Sequence, residues 1–241
     1  ALKAHKAVLC EKPATCSHEE MKEVVKVAKE NNCLFMEAMK TRFVPLYEDI
    51  KELIHEGTIG KIQRIENSFC SLVSEKGIQD SYLGDPIQGG CLLDTGIYCV
   101  SWIDDLINEK VTLSKVYTNI KNGVDHYVKA ILRSESQITI EIEVALDRKK
   151  PRNMIILGEK GRIEIVEHHR TQEIKVITES TQKEIKKPYV VDDFYGQIHH
   201  FTECLMNHKT ESEIMPLSSS VNCAKILDMI KAGFTQYDEN D

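Results

Sequence analysis

The stretch "AVLCEKPATCSHEEMKEVVKVAKENNCLFMEA" at residues 7–38 decides how the chain folds at its start. A short apolar run ends abruptly on Glu11, Lys12 and Pro13. A helical segment at 17–31 follows, opened by a capping box in which Ser17 accepts from the backbone of Glu20 and the Glu20 side chain returns to Ser17. Met21, Val24, Val25 and Ala28 then share one face, as an amphipathic helix requires. "CLFME" at 33–37 reads as a second short buried strand. Strand, helix and strand in this order form a parallel βαβ unit. In open α/β sheets, ligands bind beyond the carboxyl ends of the strands, and that is where Glu11 and Lys12 stand. On these residues alone, the plain alternative of a polar exit into solvent stays open.

Further along, a second helix carries Pro45 in its first turn, points Tyr47, Ile50, Leu53 and Ile54 inward, and closes at Gly57. From about residue 61 the period changes to two, in "KIQRIENSFCSLV", "VTLSKVYTNIK", "DHYVKAILR", "SQITIEIEVAL", "NMIILGEKGRIEIVEHH" and "QEIKVITES". Alternation over such lengths predicts a mostly antiparallel sheet with one face covered and the other available. "GEKG" reads as a tight hairpin turn. A helical stretch at 89–107 interrupts the strands, and two helices at about 192–207 and 216–236 close the chain, the first capped by Asp192 or Asp193. The predicted fold is therefore the α/β remnant of a Rossmann (doubly wound) domain at 1–60, followed at 61–241 by an α+β domain with a large, open-faced sheet. An open face invites a partner, and a homodimer through the sheet is the simplest one.

Composition narrows the function. With 41% hydrophobic and 29% charged residues, the 241-residue chain has the make-up of a soluble globular protein. A net charge of −7 argues against a nucleic-acid surface. The basic cluster "DRKKPR" at 147–152 reads as a solvated turn. No apolar run is long enough for a membrane span and no signal-peptide pattern opens the chain, so a cytoplasmic protein is expected. The 8 cysteines include no CxxC pair and read as reduced, mostly buried thiols. No metal site is expected: His168 with His169, and His199 with His200, are adjacent pairs whose side chains diverge.

In "GGCLLDTGIYCVSW", Asp94 and Tyr98 are four apart, which on a helix puts an acid and a phenol on one face among apolar neighbours. Such a pair either satisfies itself structurally or addresses a cavity. Together with Lys12 the second reading gains weight. A base for a hydroxyl proton is one role open to a phenol so placed. A free tyrosine titrates too high for that role, and a nearby ammonium such as Lys12 favours the phenolate. Asp94 would orient the hydroxyl or the lysine.

The order of "VLCEKP", "MEAMKTRFVP", "GTIGKI", "GGCLLDTGIYCV", a β-rich half and "YGQIHHFTECL" resembles the Gfo/Idh/MocA oxidoreductases over essentially the whole chain. Within that family it is most similar to the dimeric dihydrodiol dehydrogenase and D-xylose dehydrogenase subgroup. The resemblance implies NADP or NAD as cofactor, NADP being favoured by the subgroup, with a sugar or cyclic diol as substrate. It implies that Glu11, Lys12, Pro13 and Arg42 line the cofactor cleft, and that Lys12, Asp94 and Tyr98 carry the chemistry. Tyr98 stands where the wider family more often has histidine. Tyr195 and His199, an i, i+4 pair, are further candidates for the substrate pocket. The 12 glycines form no G-x-G-x-x-G. The resemblance therefore implies that roughly 110 to 120 residues of a complete enzyme precede this start. As it stands, the chain is expected to bind dinucleotide weakly and turn over little. A reading of another class is a catalytically silent family member acting as a dimeric binding or regulatory module.

Overall fold

A computed structural model describes residues 1–235; the last residue of the 216–236 helix expected from the sequence lies outside the described residues. Strand β1 (Val8–Glu11), helix α1 (His18–Glu30) and strand β2 (Phe35–Ala38) form the parallel unit. Glu11 pairs with Ala38, so the carboxyl ends of both strands lie level. Ser17 caps α1 by accepting from Glu20 N. The reciprocal bond differs from the capping box by one residue, since the Glu20 carboxylate accepts from Cys16 N at 2.9 Å. The apolar face of α1 packs Met21 and Ala28 against Phe35 and, from far along the chain, Leu217 and Ala224.

A tight 3₁₀ turn, Lys40–Phe43, leads into α2 (Leu46–His55). Strand β3 (Ile62–Cys70) is followed by the short α3 (Glu75–Gln79), a π turn at Leu92–Gly96 and α4 (Ile97–Ile107). Strands β4 (Val111–Lys121), β5 (Val124–Ser134), β6 (Thr139–Ala145), β7 (Met154–Gly158), β8 (Gly161–Ile165), β9 (Glu173–Thr178) and β10 (Gln182–Lys186) complete an eight-stranded sheet. Its order is β10-β9-β8-β7-β3-β6-β5-β4, antiparallel except where β3 meets β6. Helices α5 (Tyr195–Met206) and α6 (Leu217–Ala232) follow, and α6 packs against both α1 and α4. Asp192 caps the start of α5, accepting from Phe194 N and Tyr195 N at 2.9 and 2.8 Å.

The alternation does what a period of two requires. Ile140, Ile142 and Val144 face the core, while Glu141 and Glu143 stand on the open face. There Arg64 bridges Glu66 and Glu141, Lys129 also reaches Glu141, and Lys150 reaches Glu143. Strand β10, "QKEIK", has no counterpart in the sequence reading. It is an exposed edge strand whose side chains bury little, so backbone pairing with β9 makes it a strand without an apolar signal.

On the covered face, α4 is apolar nearly all round, with Trp102 and Val100 fully buried. Its entrance is fixed by Asp125, whose carboxylate accepts from Leu92 N at 2.7 Å and the Cys91 thiol at 3.2 Å. Gly90, at φ +88, is required here, because a Cβ would sit 2.1 Å from Asp125 Oδ1.

Arg42 corrects one expectation. It belongs to the 3₁₀ turn and is only 1% exposed. Its five N–H donors are committed: Nε to Ser101 Oγ, Nη1 to Ile214 O and Ser219 Oγ, Nη2 to Ser101 O and Asp104 Oδ2. The guanidinium therefore joins the 3₁₀ turn, α4 and the start of α6, and has nothing left for a dinucleotide. Replacing it, in Arg42→Ala, leaves the mostly buried Asp104 carboxylate without its cation, with only Asn222 Nδ2 among the described residues still donating to it, and is expected to cost about 3–5 kcal/mol of stability. Urea denaturation checks this; a loss below about 1 kcal/mol would show that the network is not a structural joint.

Candidate active site

Lys12 leaves the end of β1 through a cis Lys12–Pro13 peptide and crosses to the π turn. The ammonium donates to the Asp94 carbonyl at 2.6 Å and to Asp94 Oδ1 at 3.0 Å. A π turn widens the helix and re-aims carbonyls that an α ladder would consume, which is why such turns recur at functional sites. Both groups of the ion pair are mostly buried, with 13% of the Lys12 and 20% of the Asp94 side chain exposed. Tyr82, from the loop after α3, donates to the same Oδ1 at 2.8 Å. Burial and this bond to Asp94 push the Tyr82 phenol up to about 12.

Tyr98 follows one turn after Asp94, and the Lys12 ammonium lies over its ring, 4.9 Å from the centroid. The sequence reading expected this charge to favour the phenolate. The phenol is instead pushed above its ordinary value, first by burial and then by the negative charges of Glu11, Asp94 and Asp193. The ammonium faces the ring and is shared with Asp94, so it does not offset them.

The opposite wall comes from the turn after β8. The His168 carbonyl accepts from Thr41 Oγ1 at 2.9 Å and Trp102 Nε1 at 3.0 Å, which pins this turn to α4 and to the 3₁₀ turn. His169 is thereby placed with its ring 4.5 Å from Phe69 and 5.9 Å from Tyr98. Lys40, from "MKTRF", pairs with Asp193 and lies over the Phe194 ring at 4.3 Å. Beyond Asp193 opens a cavity of about 310 Å³ between Glu167, Arg170, Gln172 and Tyr189. Neither Lys12 nor Asp94 lines it.

The structure thus brings Lys12, Asp94 and Tyr98 together, with Glu11 beside them as a charge felt by Tyr98 and Pro13 in the same loop. Tyr195 and His199 do not join them. Their rings lie 5.5 Å apart and tilted on the exposed side of α5, and His199 faces Glu203. From this segment it is the turn before α5 that meets Lys40, through Asp193 and Phe194. Sequence reading missed Lys40, Tyr82, His169 and Asp193. Lys40 was visible in the "MEAMKTRFVP" motif, two residues before the arginine that was chosen.

The residues present fit the nicotinamide end of a dinucleotide. The two parallel strand ends converge on one edge, as such sites require. Glu37, at the end of β2, holds the loop by accepting from Ala14 N at 2.9 Å, while its Oε2 and the Nδ1 of His169 are buried without a hydrogen-bond partner among the described residues.

Comparison with known proteins agrees with this geometry. The family model of the oxidoreductases with an NAD-binding Rossmann fold matches residues 1–39, and that of the GFO/IDH/MocA C-terminal domain matches 47–164. Trans-1,2-dihydrobenzene-1,2-diol dehydrogenase of Mus musculus is 29% identical over 241 residues, covering 94% of this chain and 70% of the relative. An NADP-dependent scyllo-inositol 2-dehydrogenase of Bacillus subtilis is 27% identical over 233 residues, covering 92% of this chain and 69% of its own. A 3-ketoreductase from Actinomadura kijaniata, solved with NADP and TDP-benzene, superposes with a TM-score of 0.87 at 20% identity, covering 97% of this chain and 72% of its own. The family models and the relatives mark a nicotinamide-dependent oxidoreductase. The chain belongs to the Gfo/Idh/MocA family.

Two buried neutral imidazoles tie stability to pH. Burial lowers His168 to about 4, from an ordinary value of 6.5, and lowers His169 further, aided by His168 and Lys40. The unfolded chain binds these protons more readily, so their contribution is complete above about pH 6.5 and is lost as pH falls toward 4. Urea midpoints measured across that window are expected to decline with falling pH, and His168→Gln to flatten the decline. A limb of unchanged slope in that variant would assign the decline to other groups.

Proposed function

We propose that the protein transfers a hydride between NADP(H) and a hydroxyl or carbonyl of a sugar or cyclic diol, with Lys12, Asp94 and Tyr98 as the catalytic residues. The observation that carries this reading is the Lys12 ammonium, held between the Asp94 carboxylate and the face of Tyr98 at the carboxyl end of a parallel strand. The names of the relatives support the substrate class: a dihydrodiol, an inositol and a 3-keto compound. NADP is favoured over NAD because the inositol dehydrogenase is named for it and the ketoreductase was solved with it. The nicotinamide, when bound, supplies or accepts the hydride.

The chain's own groups manage the proton. In reduction, Tyr98, kept protonated by burial, donates to the oxygen of the substrate carbonyl as negative charge develops there. Lys12 supplies the positive field beside that oxygen, and Asp94 fixes the lysine with two bonds from one residue. In oxidation the same phenol must first lose its proton. Glu11 and Pro13 shape the loop that presents Lys12. Lys40, Asp193 and His169 offer ammonium, carboxylate and neutral imidazole to the other hydroxyls of a substrate that packs on Phe69.

In the enzyme as expressed from its natural gene, Lys12→Ala and Tyr98→Phe are each expected to lower kcat about 10²–10⁴-fold with an unchanged circular dichroism spectrum. Turnover within a few-fold of the parent would remove both residues from the mechanism. Because the Tyr98 phenol titrates high, oxidation is expected to accelerate with rising pH through the alkaline range while reduction stays flat. The reverse pattern would mean that another group carries the proton.

We divide the chain at about residue 60 into the end of a dinucleotide-binding domain and a substrate and pairing domain. The ion-paired open face, with Ile155 and Leu157 half-buried on it, is proposed as a homodimer surface. No described helix is long and apolar enough to cross a membrane; a cytoplasmic location is part of the proposal. Light scattering is expected to give twice the chain mass, and Ile155→Glu to halve it. A monomeric parent protein would exclude the pairing.

A further inference from the structure

Helix α5 places His200 and Cys204 four residues apart, so both side chains leave the same face. His200 Nε2 lies 3.3 Å from Cys204 Sγ, and both residues are buried. After α5 the chain turns back and brings Glu213 to the same point. One donor atom from each of the three residues lies within 4.8 Å of the other two. The turn that carries Glu213 is itself ordered, because Ser212 Oγ accepts from Ile214 N and Met215 N at 3.1 and 3.0 Å. The cluster stands apart from the Lys12 site and meets its surroundings through the Phe43 ring, 5.3 Å from that of His200.

The donor set and its spacing are those of a metal site. A tetrahedral Zn²⁺ with the usual bond lengths to nitrogen and sulfur sets those two ligand atoms about 3.5 Å apart, close to the separation found here. Imidazole, thiolate and carboxylate together suit a cation of borderline softness, whereas Mg²⁺ and Ca²⁺ call for oxygen donors. We propose that His200, Cys204 and Glu213 bind a divalent transition-metal ion, Zn²⁺ in preference, with water as the fourth ligand.

Two neighbours hold donor atoms that the ion takes over. Ser212 Oγ is 2.8 Å from His200 Nε2, and Lys209 Nζ pairs with both Glu213 oxygens at 2.9 Å. On binding, the Ser212 hydroxyl and the Lys209 ammonium turn away, and the Cys204 thiol releases its proton to solvent. Thiolate and carboxylate then balance the two charges of the ion. The bound ion cross-links α5 to the turn after it, so it stabilises the folded chain by mass action. The adjacent histidine pair noted in the sequence concealed this arrangement: His199 points out to Glu203, and the useful partner of His200 lies one helical turn on.

The test is a Co²⁺ titration of the full chain after chelation and under a non-thiol reductant, read as the near-ultraviolet thiolate-to-cobalt charge-transfer band, followed by displacement with Zn²⁺. One equivalent is expected, with the band absent in Cys204→Ser and the affinity at least about tenfold weaker in His200→Gln and Glu213→Gln. Zn²⁺ is expected to raise the melting temperature of the parent chain and not that of Cys204→Ser. Glu213 is exposed, so its variant tests the site even where the cysteine variant fails to fold. Absence of the band, its persistence in Cys204→Ser, or unchanged affinity in Glu213→Gln would each overturn the proposal.

Discussion

The contact between Lys12 and Asp94 joins two parts of the molecule that are 82 positions apart in the chain. One partner is the last extension of a parallel strand, and the other stands in a π turn at the entrance to a buried helix. Neither side chain is well placed alone, since a mostly buried ammonium or carboxylate without a partner is costly. The pair therefore fixes the distance between the βαβ unit and the helix that covers the sheet. It also holds a positive charge against the ring of Tyr98.

Around this contact the packing is arranged to limit movement. Asp125 seats the π turn from the sheet side, Arg42 ties the 3₁₀ turn to α4 and α6, and the His168 carbonyl pins the opposite wall. These groups belong to three separate chain segments, and each is hydrogen-bonded within the protein. Such buried polar joints specify one arrangement of the apolar layers, which by themselves would tolerate several. The site's chemistry thus rests on polar groups that do no chemistry.

Much of the fold was legible because it follows from periodicity. The apolar face of α1, the level parallel strands and the alternating β-rich half are set by spacing, and spacing is local. The strand β10 escaped because its pairing is a backbone property with no side-chain pattern. In the site, Lys12, Asp94 and Tyr98 stood in motifs that resembled a known family. Arg42 stood in such a motif too and proved to be a structural joint, because a sequence motif does not say which way a side chain points. Tyr195 and His199 shared a helical face, but that face looks outward.

The sequence by itself determined the elements, their order, the amphipathic faces and the chemical types available at the strand end. Tertiary structure decided which of those groups meet. Lys40, Tyr82, His169 and Asp193 come from four loops or turns whose paths are fixed by long-range packing, and no local period encodes their convergence. The titration of Tyr98 was decided in the same way: an ammonium near a phenol lowers its pKa only when it outweighs burial and the surrounding carboxylates. That balance depends on distances across the whole fold.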